Sequence, residues 1–121
     1  MATVSGAVPA PLAELVALLG RRHALTVVWS LRGGPQPFGV LVATTGAAEA
    51  QVSQVARSLR EAGVVEVDES GDYRLTSAGR RLLGVLEPLS EWAEHDWAAL
   101  SPRQRAPRGA ATRGRGEPDE R

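Results

Sequence analysis

Residues suited to chemistry lie on one side of an alanine-rich segment, AAEAQVSQVARSLREAG, that begins at Ala47. Ser53 and Gln54 carry hydrogen-bonding side chains, and Arg57 adds a positive charge one helical turn further on. A helix over 47–62 turns these side chains away from an apolar stripe at i, i+4 and i+7, formed by Val52, Ala56 and Leu59. Such a polar face can contact nucleic-acid bases and phosphates, or it can be an ordinary solvated helix face.

A second candidate group lies near position 90. Glu87, Glu91 and His95 follow one another at four-residue spacing and would share one helix face as metal ligands or as an acid–base pair. One histidine with carboxylates and no second cluster makes an incomplete site, so a solvated charged stripe is the preferred interpretation. Because phosphate loops and nucleophile elbows are also missing, we predict no catalytic residue, no metal site and no cofactor.

The three tryptophans, Trp29, Trp92 and Trp97, are candidates for the walls of an aromatic ligand pocket. Core or interface packing is the more common use of such side chains. A small-molecule effector bound by these residues is therefore kept as a hypothesis.

Composition limits the class of protein. A chain of 121 residues has the size of one domain with a modest core. It contains no cysteine, which excludes disulfides, thiolate metal sites and thiol redox sensing, and which suits a reducing cytoplasm. The N-terminal segment lacks a basic leader, and no apolar run approaches the roughly 20 residues needed to span a bilayer. We therefore expect a cytoplasmic protein with no membrane partner.

Charge is unevenly distributed although the formal net charge is zero. Residues 12–100 contain eight Arg and eleven acidic residues, whereas 101–121 contain six Arg and three acidic residues. The latter segment is also rich in Pro and Gly and has no apolar period, so we predict a disordered tail. This tail either attracts DNA electrostatically or reflects the composition of the genome. The remaining chain is predicted to be a flexible lead over 1–11 and one domain over 12–100.

Periodicity predicts the elements that position these residues. A helix over 12–19, an apolar second helix that ends at Gly33, and a third helix from about 37 to 43 precede the 47–62 helix. A strand through Val40 and Val42 is the alternative for the third of these. The first helix is expected to bury Leu12, Leu15, Val16 and Leu19.

Beyond Gly63 the pattern changes from helical to alternating. The alternation of Val65 and Val67 with acidic residues, followed by a turn, predicts a two-stranded hairpin. Thr76 or Ser77 is expected to cap a long final helix that is apolar over much of its circumference. Because a proline ring clashes with the carbonyl four residues earlier, we expect a kink, or the meeting of two helices, at Pro88.

Three helices, a hairpin and a final helix occur in that order in a winged helix-turn-helix domain. The residues also resemble HxlR-type (MarR-like) bacterial regulators. LGRRHALTVVWSLRGGPQPFGVLV is similar to the family's second and third helices, and AAEAQVSQVARSLREAGVVEV to its recognition helix. The ending YxLTxxGxxLxxxLxxLxxW is matched at Leu75, Thr76, Gly79, Leu82, Leu86, Leu89 and Trp92.

The resemblance implies a mainly α fold with a small β-hairpin wing and a long C-terminal dimerisation helix. It implies a homodimeric transcriptional regulator, a repressor more often than an activator, that pairs through its N- and C-terminal helices, binds double-stranded operator DNA and is not an enzyme. The 47–62 helix would be the recognition helix. The DNA-binding residues would then be Ala48, Glu49, Ser53, Gln54, Arg57 and Arg74.

An alternative belongs to another functional class. A degenerate winged helix that has lost DNA binding would bind a small aromatic ligand, or would serve a biosynthetic pathway as a partner or enzyme. Asp68, Glu69 and Asp72 in the hairpin favour this alternative, because carboxylates repel phosphates. So do Arg21, Arg22 and His23, which stand where the family typically has Gly-Lys-Trp.

Overall fold

The computed structural model describes residues 6–100 and confirms the mainly helical winged helix-turn-helix fold. Its elements are α1 (Ala10–Leu19), α2 (Ala24–Ser30), α3 (Phe38–Thr45), α4 (Glu49–Glu61), β1 (Val65–Val67), β2 (Tyr73–Leu75), α5 (Ser77–Trp92) and a π-helix (Ala93–Trp97). The chain forms two compact units, divided between Gly84 and Val85.

The core of the first unit joins α2, α3, α4 and the hairpin. The buried side chains are Ala24, Val27, Val28, Leu31, Leu41, Val52, Val55, Ala56, Leu59, Val64, Val65 and Leu75. The apolar stripe predicted for α4 is confirmed, and Val55 widens it. This broad stripe fixes the rotation of α4 about its axis, because any other rotation would expose apolar surface to water.

The start of α4 is set by the turn that precedes it. Gly46 adopts a left-handed conformation with φ of 70°, which ends α3 at little cost for a residue without Cβ. The Thr45 hydroxyl then accepts a hydrogen bond of 3.2 Å from the amide of Ala47. Ala47 is therefore part of the turn, and the helix begins at Glu49, two residues later than predicted. The strand alternative for α3 is wrong, because 38–45 is helical.

The hairpin is antiparallel, with Val65 opposite Leu75 and Val67 opposite Tyr73. One Asp68 carboxylate oxygen accepts hydrogen bonds from the amides of Ser70, at 2.9 Å, and of Asp72, at 3.0 Å. This arrangement closes the turn, so the acidic tip of the hairpin has a structural use.

The LTxxG motif joins the hairpin to α5. The Thr76 hydroxyl accepts a hydrogen bond from the Gly79 amide at 3.0 Å, which confirms a cap at Thr76, and donates to the Gly63 carbonyl at 2.6 Å. A Cβ at position 79 would lie 2.2 Å from the Val64 carbonyl oxygen. Glycine is therefore required at this position so that α5 can approach the backbone before β1.

Part of the stripe predicted to be buried on α1 is exposed. Leu12 and Val16 are 49% and 59% exposed, while Leu15 and Leu19 are partly buried. The expectation of burial is therefore wrong for Leu12 and Val16 within one chain, since the rest of the chain covers the predicted stripe only in part.

In the second unit, α5 continues through Pro88 and ends at Trp92. The prediction that two helices meet at Pro88 is therefore wrong. Pro88 has no amide hydrogen, so the Gly84 carbonyl four residues earlier has no helical donor. Gly84 is exposed, so water can reach this carbonyl. Leu86 is buried in this unit, whereas Val85 and Leu89 are 64% and 54% exposed.

Two predictions concern the ends of the chain. The tail predicted over 101–121 lies outside the described residues, as do the first five residues of the predicted lead. The helix α1 starts at Ala10, within the predicted lead, and Pro9 is its N-cap residue. Within 6–100, no helix combines the length and the apolar character needed to cross a membrane.

Candidate nucleic-acid interface

The polar face of α4 is open to solvent. Ser53, Gln54 and Arg57 are all exposed, as is Glu49 in the first turn. They lie opposite the buried stripe, so packing orients these side chains outward without using them. The structure thus brings the three principal DNA-contact candidates together on one accessible helix face.

The N-terminus of α4 presents backbone groups beside this face. Ala48 is the N-cap residue and makes no side-chain capping bond, so the first amide groups of α4 lack a side-chain acceptor. Amide groups at a helix N-terminus suit a phosphate, and the short Ala48 side chain permits close approach. The Glu49 carboxylate complements the positive end of the helix dipole.

A further cation is attached to α4 from the turn before α2. The Arg21 guanidinium donates a hydrogen bond to the Ser58 hydroxyl, which itself donates to the Gln54 carbonyl at 3.2 Å. Arg21 therefore adds positive charge near Gln54 and Arg57. No local sequence pattern indicates this contact, because 37 positions separate the two residues.

An open groove of about 520 Å³ runs between α4 and β1. Arg57 and Arg60 line it from α4, together with Glu61, and Glu66 lines it from β1. Arg60 follows Arg57 at i+3, a spacing that places both on one side of a helix. The sequence spacing thus indicated Arg60 as well, although Arg60 is not among the predicted DNA-binding residues.

Arg74 is placed differently from the other candidates. Its Nε lies 2.7 Å from a carboxylate oxygen of Glu66, directly across the hairpin, and both side chains are about half exposed. An ion pair this exposed contributes at most about 1 kcal/mol to stability. It nevertheless offsets the charge of Arg74 and holds the guanidinium beside the hairpin.

The tryptophans occupy two places. In the second unit, Trp92 and Trp97 stack at 30° with ring centroids 6.5 Å apart, and both remain about half exposed. In the first unit, the Arg32 guanidinium carbon lies 5.1 Å from the centroid of the Trp29 ring. A pocket lined by all three rings remains a prediction.

Glu87, Glu91 and His95 do not form a metal-binding group. The His95 Nδ1 donates to the backbone carbonyl of Glu91 at 2.9 Å. His95 lies in the π-helix, whose wider turns break the four-residue spacing that would keep it on the face of the two glutamates. Residues 6–100 contain no group of three or more His, Cys, Asp or Glu side chains that could hold a metal ion.

The family model for the HxlR-like helix-turn-helix matches residues 18–100. The chain belongs to the HxlR-like family. The matched region begins near the end of α1 and includes every later helix and both strands, with the LTxxG junction among them. Membership of this helix-turn-helix family places the chain among DNA-binding transcriptional regulators. No curated protein sequence matches the chain significantly.

Several solved structures similar to this HxlR-like chain are winged-helix regulators. Quinone-bound YodB from B. subtilis has a TM-score of 0.67 and 23% identity, over 72% of this chain and 98% of its own. The transcriptional repressor BigR from Xylella fastidiosa has a TM-score of 0.58 and 30% identity, over 65% of this chain and 82% of its own. The homodimeric winged-helix domain of Mb0332 from Mycobacterium bovis has a TM-score of 0.56 and 21% identity, over 76% and 96%.

Proposed function

We propose that this HxlR-like protein is a homodimeric repressor that inserts α4 into the major groove of operator DNA. The observation that carries the proposal is the two-sidedness of α4. One side is anchored in the core by four buried apolar residues, and the other presents Ser53, Gln54 and Arg57 to solvent. A helix held in this way can enter a groove about 12 Å wide without rearrangement.

Each exposed residue suits a particular DNA group. The Gln54 amide matches the donor and acceptor of an adenine edge, and Arg57 matches the two acceptors of guanine or a phosphate. The Ser53 hydroxyl can donate to or accept from either kind of base. Glu49 can accept from a cytosine amino group, while the amides after Ala48 face a phosphate.

The wing is assigned a smaller share of the binding energy. Arg74 is about half exposed, so nitrogens not used by Glu66 remain able to contact a phosphate. The neighbouring carboxylate reduces the attraction, and we expect Arg74 to contribute less than Arg57. Two hairpin acids have structural partners, since Glu66 pairs with Arg74 and Asp68 closes the turn.

Dimerisation through the terminal helices is supported by the apolar surface that each unit exposes. In the first unit, α1 exposes Leu12 and Val16. In the second, the exposed apolar side chains are Val85, Leu89, Trp92, Trp97 and Leu100. Exposed apolar surface of this extent marks an interaction site in soluble proteins. A two-fold dimer would place two copies of α4 in successive major grooves, about 34 Å apart, on a pseudo-palindromic operator.

The alternative function, a winged helix that has lost DNA binding, rests on the acidic hairpin and on Arg21, Arg22 and His23, which replace residues typical of the family. The structural uses of Glu66 and Asp68 explain part of that acidity without a loss of DNA binding. An aromatic effector bound near the tryptophans is compatible with repression, and it stays secondary to the DNA-binding proposal.

Titration of a fluorescent random-sequence duplex, followed by anisotropy at several salt concentrations, tests the proposal. We expect binding that weakens steeply with salt, and Arg57→Ala should cost about 1–3 kcal/mol and reduce the salt slope by about one. Arg81→Ala removes an equal charge from an exposed position on α5 and is the matched control. Salt-independent binding, or equal losses in both variants, would contradict the proposal.

A further inference from the structure

A pocket of about 350 Å³ lies in the first unit, where the end of α2 meets β2 and the first turns of α5. Its lining includes three arginines, Arg32, Arg74 and Arg80, and no acidic residue. Its apolar lining includes Leu31, Leu75 and Leu83. It shares no lining residue with the groove beside α4, so it is a separate site.

Each arginine has an anchor and keeps unused donors. Arg32 donates to the Trp29 carbonyl at 3.0 Å and lies over the Trp29 ring, while Arg80 makes a long contact of 3.4 Å with the Leu75 carbonyl. A guanidinium has five N–H donors, so most of them remain available. In the described part of the chain, no carboxylate comes within 4.0 Å of the Arg32 or Arg80 guanidinium.

The apolar part of the pocket is preformed. Leu31 and Leu75 are buried in the core and fix its base, whereas Leu83 is partly buried and Pro35 is exposed, so these two supply the accessible apolar surface. Gly33 and Gly34 carry no side chains to fill the opening, and a Cβ at either would meet nothing within 4 Å. The volume lies at the lower end of the range for sites that hold small molecules.

We propose that this pocket binds a small carboxylate with an apolar body. The carboxylate would receive hydrogen bonds from Arg32 and Arg80, whose planar donor pairs match its two oxygens. The apolar body would lie against Leu83 and Pro35, and its contact area would supply affinity that an inorganic anion lacks.

The pocket is connected to the groove beside α4 through one ion pair. Arg74 lines the pocket and bonds to Glu66, and Glu66 lines the groove together with Arg57. A carboxylate held by Arg32 and Arg80 would also attract the Arg74 guanidinium in the same pocket, and would therefore compete with Glu66 for it. Once released, Glu66 is an uncompensated negative charge near Arg57 that repels phosphates or pairs with that arginine. On the proposed DNA-binding function, the ligand therefore weakens DNA binding.

Calorimetric titration with 1-naphthoate tests the pocket without DNA. We expect binding that Arg32→Gln and Arg80→Gln each weaken at least about tenfold, and that Arg81→Gln changes less than about twofold. Arg81 is exposed on α5 next to Arg80 and does not line the pocket, which makes it the matched control. The neutral analogue 1-naphthalenemethanol should bind at least about tenfold more weakly than 1-naphthoate.

Three results would overturn the carboxylate pocket. They are no binding of 1-naphthoate at about 10 mM, an equal loss in Arg81→Gln, and equal affinity for the neutral alcohol.

A second titration, with duplex DNA, tests the connection. Saturating 1-naphthoate should weaken DNA binding by the wild-type protein, while Glu66→Gln should abolish this effect and still bind 1-naphthoate. Weakening that persists in Glu66→Gln would show that the ligand and a DNA phosphate compete directly for the pocket, and would overturn the connection. So would calorimetric binding with no effect on DNA. Absence of DNA binding without ligand would contradict the proposed function alone, since calorimetry tests the pocket separately.

Discussion

The helix α4 and the terminal helices use their apolar residues in different ways. In α4, Val52, Val55, Ala56 and Leu59 are all buried within one chain, and the rest of the surface is polar. In α1, Leu12 and Val16 remain exposed, and in the second unit Val85 and Leu89 do. One chain therefore completes the packing of the candidate DNA-binding helix, but it does not complete that of the terminal helices.

This difference separates the consequences of substitution. Changes on the terminal helices should affect self-association, changes on the buried side of α4 should affect folding, and changes on its open side should affect DNA binding alone.

The largest effect is expected from Leu89→Glu. If Leu89 is covered by a second copy, the new carboxylate would be buried without a partner, and the dimer should be weakened by about 3–5 kcal/mol. Sedimentation velocity over a range of protein concentrations measures this change. Glu87→Gln, on the same helix and exposed, is the control. A monomeric wild-type protein, or a variant that associates as strongly as the wild type, would contradict the claim that a second copy covers the terminal helices.

On the buried side of α4, Leu59→Ala should lower the free energy of unfolding by about 2–5 kcal/mol, because it removes a fully buried side chain and leaves a cavity. Leu25→Ala shortens an equally large side chain that is half exposed, and it should cost less than about 1 kcal/mol. Urea denaturation compares the two variants. Similar losses of unfolding free energy in both variants would contradict the burial of Leu59 and the exposure of Leu25.

The two glycines of α5 sharpen the comparison within one helix. Gly79→Ala forces a Cβ against the Val64 carbonyl and should destabilise the protein by about 1–3 kcal/mol. Gly84→Ala meets no atom within 4 Å and should stabilise the helix by about 0.5–1 kcal/mol. Thermal denaturation should move the two midpoints in opposite directions, and movement in the same direction would contradict the close approach at Gly79.

The smallest loss is expected on the open side of α4. Ser53→Ala should weaken binding to a specific duplex by about 1 kcal/mol, since it removes one hydrogen-bonding hydroxyl. The free energy of unfolding should change by less than about 0.5 kcal/mol, because Ser53 is exposed. Anisotropy and urea denaturation of the same samples measure both quantities. A loss of stability as large as the loss of affinity would show that the two sides of α4 are not independent.

Periodicity predicted what depends on neighbours in sequence. The i, i+4, i+7 spacing of Val52, Ala56 and Leu59 identified the buried side of α4, and hence the exposure of Ser53 and Arg57. A periodic stripe does not reveal what covers it, which is why burial was wrongly expected for Leu12 and Val16 on α1.

Contacts between distant residues could not be predicted in the same way. The bond from Arg21 to Ser58 depends on how the turn before α2 approaches α4. The pairing of Arg74 with Glu66 depends on the register of the hairpin, which its turn sets through Asp68. The charges around the candidate site therefore emerge only from the folded chain.

Site-specific crosslinking tests the central claim, that the open face of α4 lies against DNA, most directly. The chain contains no cysteine, so Ser53→Cys provides a single attachment point for a photoreactive group, and Glu14→Cys on α1 provides an exposed control. With a duplex that both labelled proteins bind, irradiation should crosslink the Ser53 position to DNA and leave the Glu14 position largely uncrosslinked. Bound DNA that crosslinks equally to both positions, or only to position 14, would contradict the account.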